Sequence, residues 1–236
     1  MEAKKAKAAE VRKKKEAENA AADAKKKIES ESARVIGHVI LPRPKKKAEQ
    51  VLVKVAYWNI RSLGDGCNRS LKLDSLASLE INPQVLLLSE TKMKTKLELN
   101  DSLTFQTNLS GKGGAAALHT SPNARKIKAL NENILWSTDR HEGALVHYVT
   151  VYTPPNDSEM ADITLRQLSW ILTRIFFIDK DSLVVVAGDL NKVGMKKSDF
   201  LENHFRLTPV IPKGYPTHKL GGHLDNVWTN ISTTDV

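Results

Sequence analysis

The chain has 236 residues, a formal charge of +9, 41% hydrophobic residues and a single cysteine. No apolar run approaches the roughly 18 residues that a membrane-spanning helix needs, and one cysteine excludes a disulfide scaffold or a multi-cysteine zinc module. The apolar fraction can build a core, so a wholly disordered chain is excluded too, and the length suits one domain with an extension.

The charge is unevenly spread. Residues 1–49 hold 15 Lys and Arg against 8 Asp and Glu, whereas the other 187 residues hold 21 against 19. The basic surplus therefore belongs to the N-terminal segment. Residues 1–31 are mostly Ala, Lys and Glu, all strong helix formers. After Met1 the only large apolar residues there are Val11 and Ile28, so such a helix has no stripe with which to dock on a core. Seven acids in the same stretch argue against a mitochondrial presequence. Two readings stand: a solvated helical tail, or a basic helix lying along a phosphate backbone. In the second, Lys13, Lys14, Lys15, Lys25, Lys26, Lys27, Lys45, Lys46 and Lys47 are the nucleic-acid contacts. Pro42, Pro44 and the lysine run after them read as a linker. This sets residues 1–49 as a basic helical extension and linker, and 50–236 as the domain.

From Val51 the texture changes. VLVKVAYWNI reads as a strand ending near Asn59, and Ser70–Glu80 as a helix with Leu71, Leu73, Leu76 and Leu79 apolar, stopped by Asn82-Pro83. VLLLSE (Val85–Glu90) is a buried strand ending in a carboxylate. GGAAALHT (Gly113–Thr120) is a strand of small residues where another backbone can come close. ALVHYVTVY (Ala144–Tyr152) alternates like a half-buried strand. Met160–Ile175 is an amphipathic helix with Ile163, Leu165, Leu168, Ile171, Leu172 and Ile175 apolar. LVVVAGDLN (Leu183–Asn191) is the most apolar strand, and HLDNVWTN (His223–Asn230) the last. Strands alternating with helices predict an α/β architecture.

Three apolar strands end in residues that metal or phosphate chemistry uses: Asn59, Glu90, then Asp189 and Asn191. Residues two apart on an extended chain point the same way, so Asp189 and Asn191 are expected to face one site. Singly, GDLN reads as a turn and Ser89-Glu90-Thr91 as a helix cap. Together, at the ends of successive strands, they read as a site. Cys67 reads as a bystander thiol.

These motifs, WNIRSL (Trp58–Leu63), VLLLSET (Val85–Thr91), GKGGAA (Gly111–Ala116), VYTPP (Val151–Pro155), VVVAGDLN (Val184–Asn191) and HLDNVWTN (His223–Asn230), resemble the endonuclease/exonuclease/phosphatase superfamily. Within it they resemble the endonuclease domain of non-LTR (LINE-type) retrotransposons. The resemblance implies an α/β four-layered sandwich of two mixed sheets flanked by helices, and Mg²⁺-dependent hydrolysis of a phosphodiester, here DNA nicking. Mg²⁺ is a hard cation that takes oxygen ligands and few protein contacts. By resemblance Glu90 binds the metal and Asn59 sits near metal and phosphate. Asp189 aligns or deprotonates the attacking water with Asn191 orienting it, Tyr152 contacts the phosphate, and Asp225 supports a histidine.

That histidine is where the sequence departs from the pattern. The family's Ser-Asp-His motif lies beyond the Leu-Asp strand, and the sequence given ends at Val236 without it. Asp235 is too close to Asp225 to be the motif's aspartate, and His218 and His223 precede Asp225 and read as loop histidines. The expectation is a domain lacking its last strand, with a sheet edge left open. A smaller departure is Tyr-Thr-Pro-Pro-Asn, which moves the amide after Tyr152 to Asn156. Two functions follow: an endonuclease acting on DNA, or a domesticated, non-catalytic relative serving as an RNA- or protein-binding subunit of a large assembly such as a ribonucleoprotein. A headgroup phosphatase shares the fold but not the WNIRSL and YTPP signatures. No membrane partner is expected, and the compartment is left open between nucleus and organelle.

Overall fold

The computed structural model describes residues 34–41, 51–63, 67–77, 82–98, 102–107, 110–212, 215, 217 and 224–234. The nine candidate lysines of the N-terminal segment, His218, His223 and Asp235 lie outside them.

Strands are numbered along the chain. The first sheet contains β1 (Arg34–Leu41), β2 (Val51–Asn59), β3 (Val85–Ser89), β4 (Leu103–Gln106), β5 (Ala115–His119) and β12 (Ser232–Thr234), in the order β12-β1-β2-β3-β5-β4. The second contains β6 (Arg125–Asn131), β7 (Ile134–His141), β8 (Ala144–Tyr152), β9 (Leu183–Asp189), β10 (Thr208–Pro209) and β11 (Asp225–Thr229), in the order β10-β11-β9-β8-β7-β6. Each is mixed in the same way, with one parallel pair, β2 with β3 and β8 with β9, inside otherwise antiparallel neighbours.

Alternation along the strands builds the layers. Val53, Val55 and Tyr57 of β2 and Val85 and Leu87 of β3 meet Val146 and Tyr148 of β8, Val185 and Ala187 of β9 and Val227 of β11 in the space between the sheets. The intervening residues face outward. Trp58, Leu86 and Leu88 pack with Leu71 and Leu73 of α1 (Cys67–Ala77), and Val149, Val151, Val184 and Val186 pack against α2 (Ser158–Ile178). The architecture is the expected sandwich of two mixed sheets with helices outside.

Most predicted elements stand, with shifted ends. The first predicted helix begins three residues early, at Cys67, and is described as far as Ala77. Helix α2 extends the predicted Met160–Ile175 at both ends, because Asp157 accepts the Met160 N–H at 2.8 Å as its N-cap. Thr164 is buried in its core face, whereas Ile163 is only half-buried. Strands β4, β6 and β7 and the short helices α3 (Asn191–Lys196) and α4 (Asp199–Asn203) were not predicted. In β6 the exposed Arg125, Lys126, Ile127 and Lys128 hide the strand period.

The first sheet begins inside the segment assigned to the extension. Residues 34–41, RVIGHVIL, pair antiparallel with β2, Arg34 opposite Tyr57 and Leu41 opposite Val51. Their β-branched content carries the strand signal, which the adjacent proline and lysine run masks. On the far side of β1 lies β12, His38 opposite Thr234.

Candidate active site

Backbone register brings the polar strand ends to one edge of the sandwich. In the first sheet Asn59 lies opposite Ser89, and Ser89 opposite Ala115. In the second, Asp189 lies opposite both Tyr152 and Asp225. Gly188 makes the β8–β9 contact feasible: a Cβ there would stand 2.0 Å from the Val151 carbonyl oxygen.

A hydrogen bond joins the two sheets at this edge. The Asn59 side-chain amide donates to Asp189 Oδ2 at 2.7 Å. Asp189 Oδ1 accepts the Asn191 backbone N–H at 2.8 Å. Asn191 does not reach the site by strand alternation, as expected from the sequence. Leu190 is helical and Asn191 is left-handed, φ +48°, at the start of α3. Its side-chain amide donates to the Thr153 carbonyl at 2.7 Å, and the Thr153 hydroxyl donates to Leu190 O, so Thr153 pins the turn that follows Asp189.

Glu90 follows β3 in a loop built around Gly113 and Gly114. The Thr91 N–H donates to Gly114 O at 3.2 Å and the Lys92 N–H to Gly113 O at 2.7 Å. A Cβ on Gly114, at φ +103°, would lie 2.3 Å from the Thr91 side-chain Oγ1 and 3.2 Å from the Lys92 backbone N, so the loop after β3 comes close just ahead of β5. The Glu90 side chain keeps 17% exposure and is paired with Lys92 at 2.5 Å. On the other flank, Lys72 of α1 donates to the carbonyls of Ile60, Arg61 and Ser62 at 2.7, 3.1 and 2.9 Å, folding the loop after β2 around its ammonium. Left-handed backbone concentrates here, at Arg61, Ser62, Glu90, Lys92 and Asn191. Such strain persists only where surrounding contacts over-determine it, and it favours functional sites.

Charge is unbalanced at this edge. Asp189, Asp225 and Asn191 are 4%, 9% and 8% exposed. Burial pushes the Asp189 carboxyl well above the usual carboxylate range; the facing Asp225 and, less strongly, Glu90 add to this, against the Asn191 N–H and Arg61. The Tyr152 phenol is raised by burial and by Glu90 and Asp189, so it remains a donor. Among the described residues no group of three His, Cys, Asp or Glu side chains could hold a metal ion.

Asp225 has a partner that sequence reasoning missed. The Tyr57 hydroxyl donates to Asp225 Oδ1 at 2.8 Å and lies 2.7 Å from Ser89 Oγ. Tyr57 is 2% exposed, and burial followed by Asp225 and Asp189 holds its phenol well above its ordinary range. A phenol that donates to Asp225 accepts from Ser89, so a directed chain runs Ser89, Tyr57, Asp225 from one sheet to the other. No local pattern announces this contact across 168 residues; alternation alone places Tyr57 on the inward face with Asn59. Thr153, Lys72 and Lys92 were missed for the same reason, and Asn156 is exposed.

Two mixed sheets face to face, with acids and amides from both collected at one edge, define the α/β-sandwich class of nuclease and phosphatase folds. A sequence model of the Endonuclease/Exonuclease/phosphatase family matches residues 56–234, and the chain belongs to that family. Solved structures agree on the fold. A D. rerio TDP2 humanized by 14 mutations is 19% identical at a TM-score of 0.51, covering 74% of this chain and 80% of its own. The human Nocturnin catalytic domain with bound sulfate anion is 14% identical at a TM-score of 0.54, covering 82% and 85%. No curated protein matches the sequence. No helix among the described residues is long and apolar enough to cross a membrane.

Proposed function

We propose that this chain is a divalent-cation-dependent phosphodiesterase that nicks DNA, of the retroelement-endonuclease type its motifs resemble. The observation that carries the reading is the 2.7 Å bond from Asn59 to Asp189, which joins the two sheets at the edge where Glu90 and Tyr152 also end. The donor set suits a hard cation: buried Asp189 and Asp225 face each other with Glu90 nearby, so carboxylate and carboxamide oxygens gather at one edge. Glu90 and the Asn59 carboxamide oxygen would hold the ion, with water and phosphate oxygens as its remaining ligands. When bound it supplies charge stabilisation to the phosphoryl group.

The chain's own residues do the rest. Asn59 and the Asn191 N–H fix both oxygens of Asp189, which orients the attacking water and takes its proton as the P–O bond to the leaving oxygen breaks. Tyr152 keeps its proton and donates to a phosphate oxygen. The lysines that precede β1 in the sequence are the proposed contacts to the flanking backbone. In support, Arg34 pairs opposite Tyr57, so the segment preceding β1 leaves from the same edge as the site.

One observation favours a second reading, the non-catalytic subunit. Asp225, which in relatives supports a histidine, here accepts from the buried Tyr57 hydroxyl. Mg²⁺-dependent nicking of supercoiled plasmid, with Asp189→Ala and Glu90→Ala alongside, decides between them. Nicking that both substitutions abolish establishes the enzyme. Absence of nicking from folded protein across Mg²⁺ concentration and pH, with salt-sensitive co-purification of RNA, establishes the subunit.

A further inference from the structure

The solvent side of α2 carries a second apolar stripe that the fold does not use. Its buried face runs from Ala161 to Ile175, yet Trp170, Phe177 and Ile178 are 45%, 89% and 71% exposed. With Arg174 they follow i, i+4, i+7, i+8 spacing and share one face of the last turns. Beside them opens a groove of about 520 Å³, lined by Phe176, Phe177 and Phe205 together with Lys180, His204 and Arg206, and by no carboxylate. The Lys180 and Arg206 side chains make no ion pair or hydrogen bond among the described residues. Arg206 is itself left-handed, φ +55°, a strained position away from the candidate active site. The groove lies at the C-terminal end of α2, the far end from Tyr152 and Asp189.

We propose that this groove docks an acidic, amphipathic protein segment. One aromatic or large aliphatic anchor fills the cavity, and Asp or Glu residues beside it pair with Lys180 and Arg206. Charge complementarity argues for this occupant: two unpartnered cations edge an apolar cavity without a single acid in its lining. The ring geometry argues against a nucleic-acid strand, which would need open aromatic faces for its bases. Phe176 and Phe205 are stacked on each other, with centroids 6.1 Å apart at 20°, and His204 and Phe200 stand edge-on to Phe205 at 4.8 and 6.0 Å. Trp170 is already flanked by Lys128 and Arg174, at 5.3 and 5.7 Å from its ring. An anchor side chain needs only the cavity, and a short helix laid along α2 also buries Phe177 and Ile178.

Display of random peptides against the full chain, followed by fluorescence anisotropy on those enriched, tests the proposal. The expected peptides carry one large apolar residue flanked by acids and weaken with added salt. Phe177→Ser and Arg206→Glu, both at exposed positions, should each lower their affinity about 10-fold or more, while Lys96→Glu on another face leaves it unchanged. Enrichment of peptides without acids, affinity insensitive to both substitutions, or no enrichment at all overturns it. So does displacement of the peptides by a short single-stranded oligonucleotide whose own binding both substitutions weaken.

Discussion

The space between the sheets holds a buried polar cluster at each end, and the two differ in charge balance. At the edge of the candidate active site, Asp189 and Asp225 face each other directly with Glu90 near them. At the opposite end Asp139 of β7 lies 3.5 Å from His119 Nδ1 and 3.6 Å from His141 Nε2. Around it His119 Nε2 is 3.1 Å from Ser137 Oγ, and His141 Nε2 is 2.9 Å from the Tyr148 hydroxyl. Here one carboxylate lies among two imidazoles and two hydroxyls. Burial raises the Asp139 carboxyl, but hydrogen bonds from His119 and Ser121, the His141 charge and the Arg140 N–H together hold it below its ordinary value. Asp189 is held above. Both clusters are buried acid networks, so burial alone does not mark a functional site; what separates them is the direction in which the neighbours shift the acid, down at Asp139 beside imidazoles and up at Asp189 beside carboxylates.

The largest expected effect is on chemistry. Asp189→Ala should lower nicking by about 10³-fold, read as first-order plasmid relaxation at saturating Mg²⁺. The same position sharpens the contrast in stability. Without metal, Asp189→Asn should leave urea unfolding within about 1 kcal/mol of the parent, because it removes a like-charge pair. Asp139→Asn should destabilise by about 1–3 kcal/mol, since it puts an amide donor into a buried site arranged around a carboxylate and weakens the Arg140 N–H bond to Oδ1. Equal losses at both positions would erase the distinction.

Acid provides the next effect. Burial lowers the imidazole of His147 to about 4, and its Nδ1 accepts the Trp136 indole N–H at 3.1 Å. Burial likewise lowers His141, with Asp139 opposing and His119 assisting. A histidine whose pKa is lower in the folded chain takes up its proton first when unfolded. Stability should therefore decline as pH falls below the ordinary histidine value near 6.5 towards 4. About 1–2 kcal/mol of that decline should vanish in His147→Gln, seen as a flatter plot of melting temperature against pH. A comparable effect is expected at Tyr57. Tyr57→Phe keeps the ring and removes one hydrogen bond to a carboxylate, costing about 1–2 kcal/mol of stability. If Tyr57 also positions Asp225 for catalysis, kcat should drop with KM unchanged, a split that a purely structural hydroxyl would not produce.

The candidate site was legible in the sequence in proportion to how local the causes of its geometry are. Asn59, Glu90, Tyr152 and Asp189 end apolar strands, and strand ends can be read from composition, so these positions were legible; the structure collects them at one edge. Asn191 was found for the wrong reason, since a left-handed residue opening α3, and not strand alternation, brings it to Asp189. Tyr57 reads as one more core residue until β11 brings Asp225 to its hydroxyl. Lys72 looks like a solvated helix lysine until the left-handed loop after β2 wraps three carbonyls around it. The pairing of β1 was missed because a charged neighbourhood outweighed eight residues of β-branched pattern.

Strand β1 also has a consequence for synthesis. It folds back on β2 as soon as both have been made, but its other side waits for β12, where His38 meets Thr234. During translation the first sheet therefore presents an unpaired strand edge until almost all of this sequence has emerged, a period in which neighbouring nascent chains on a polysome can add to it. Slow release or premature termination before Ser232 should make this chain prone to co-translational aggregation, with β1 as the sticky edge.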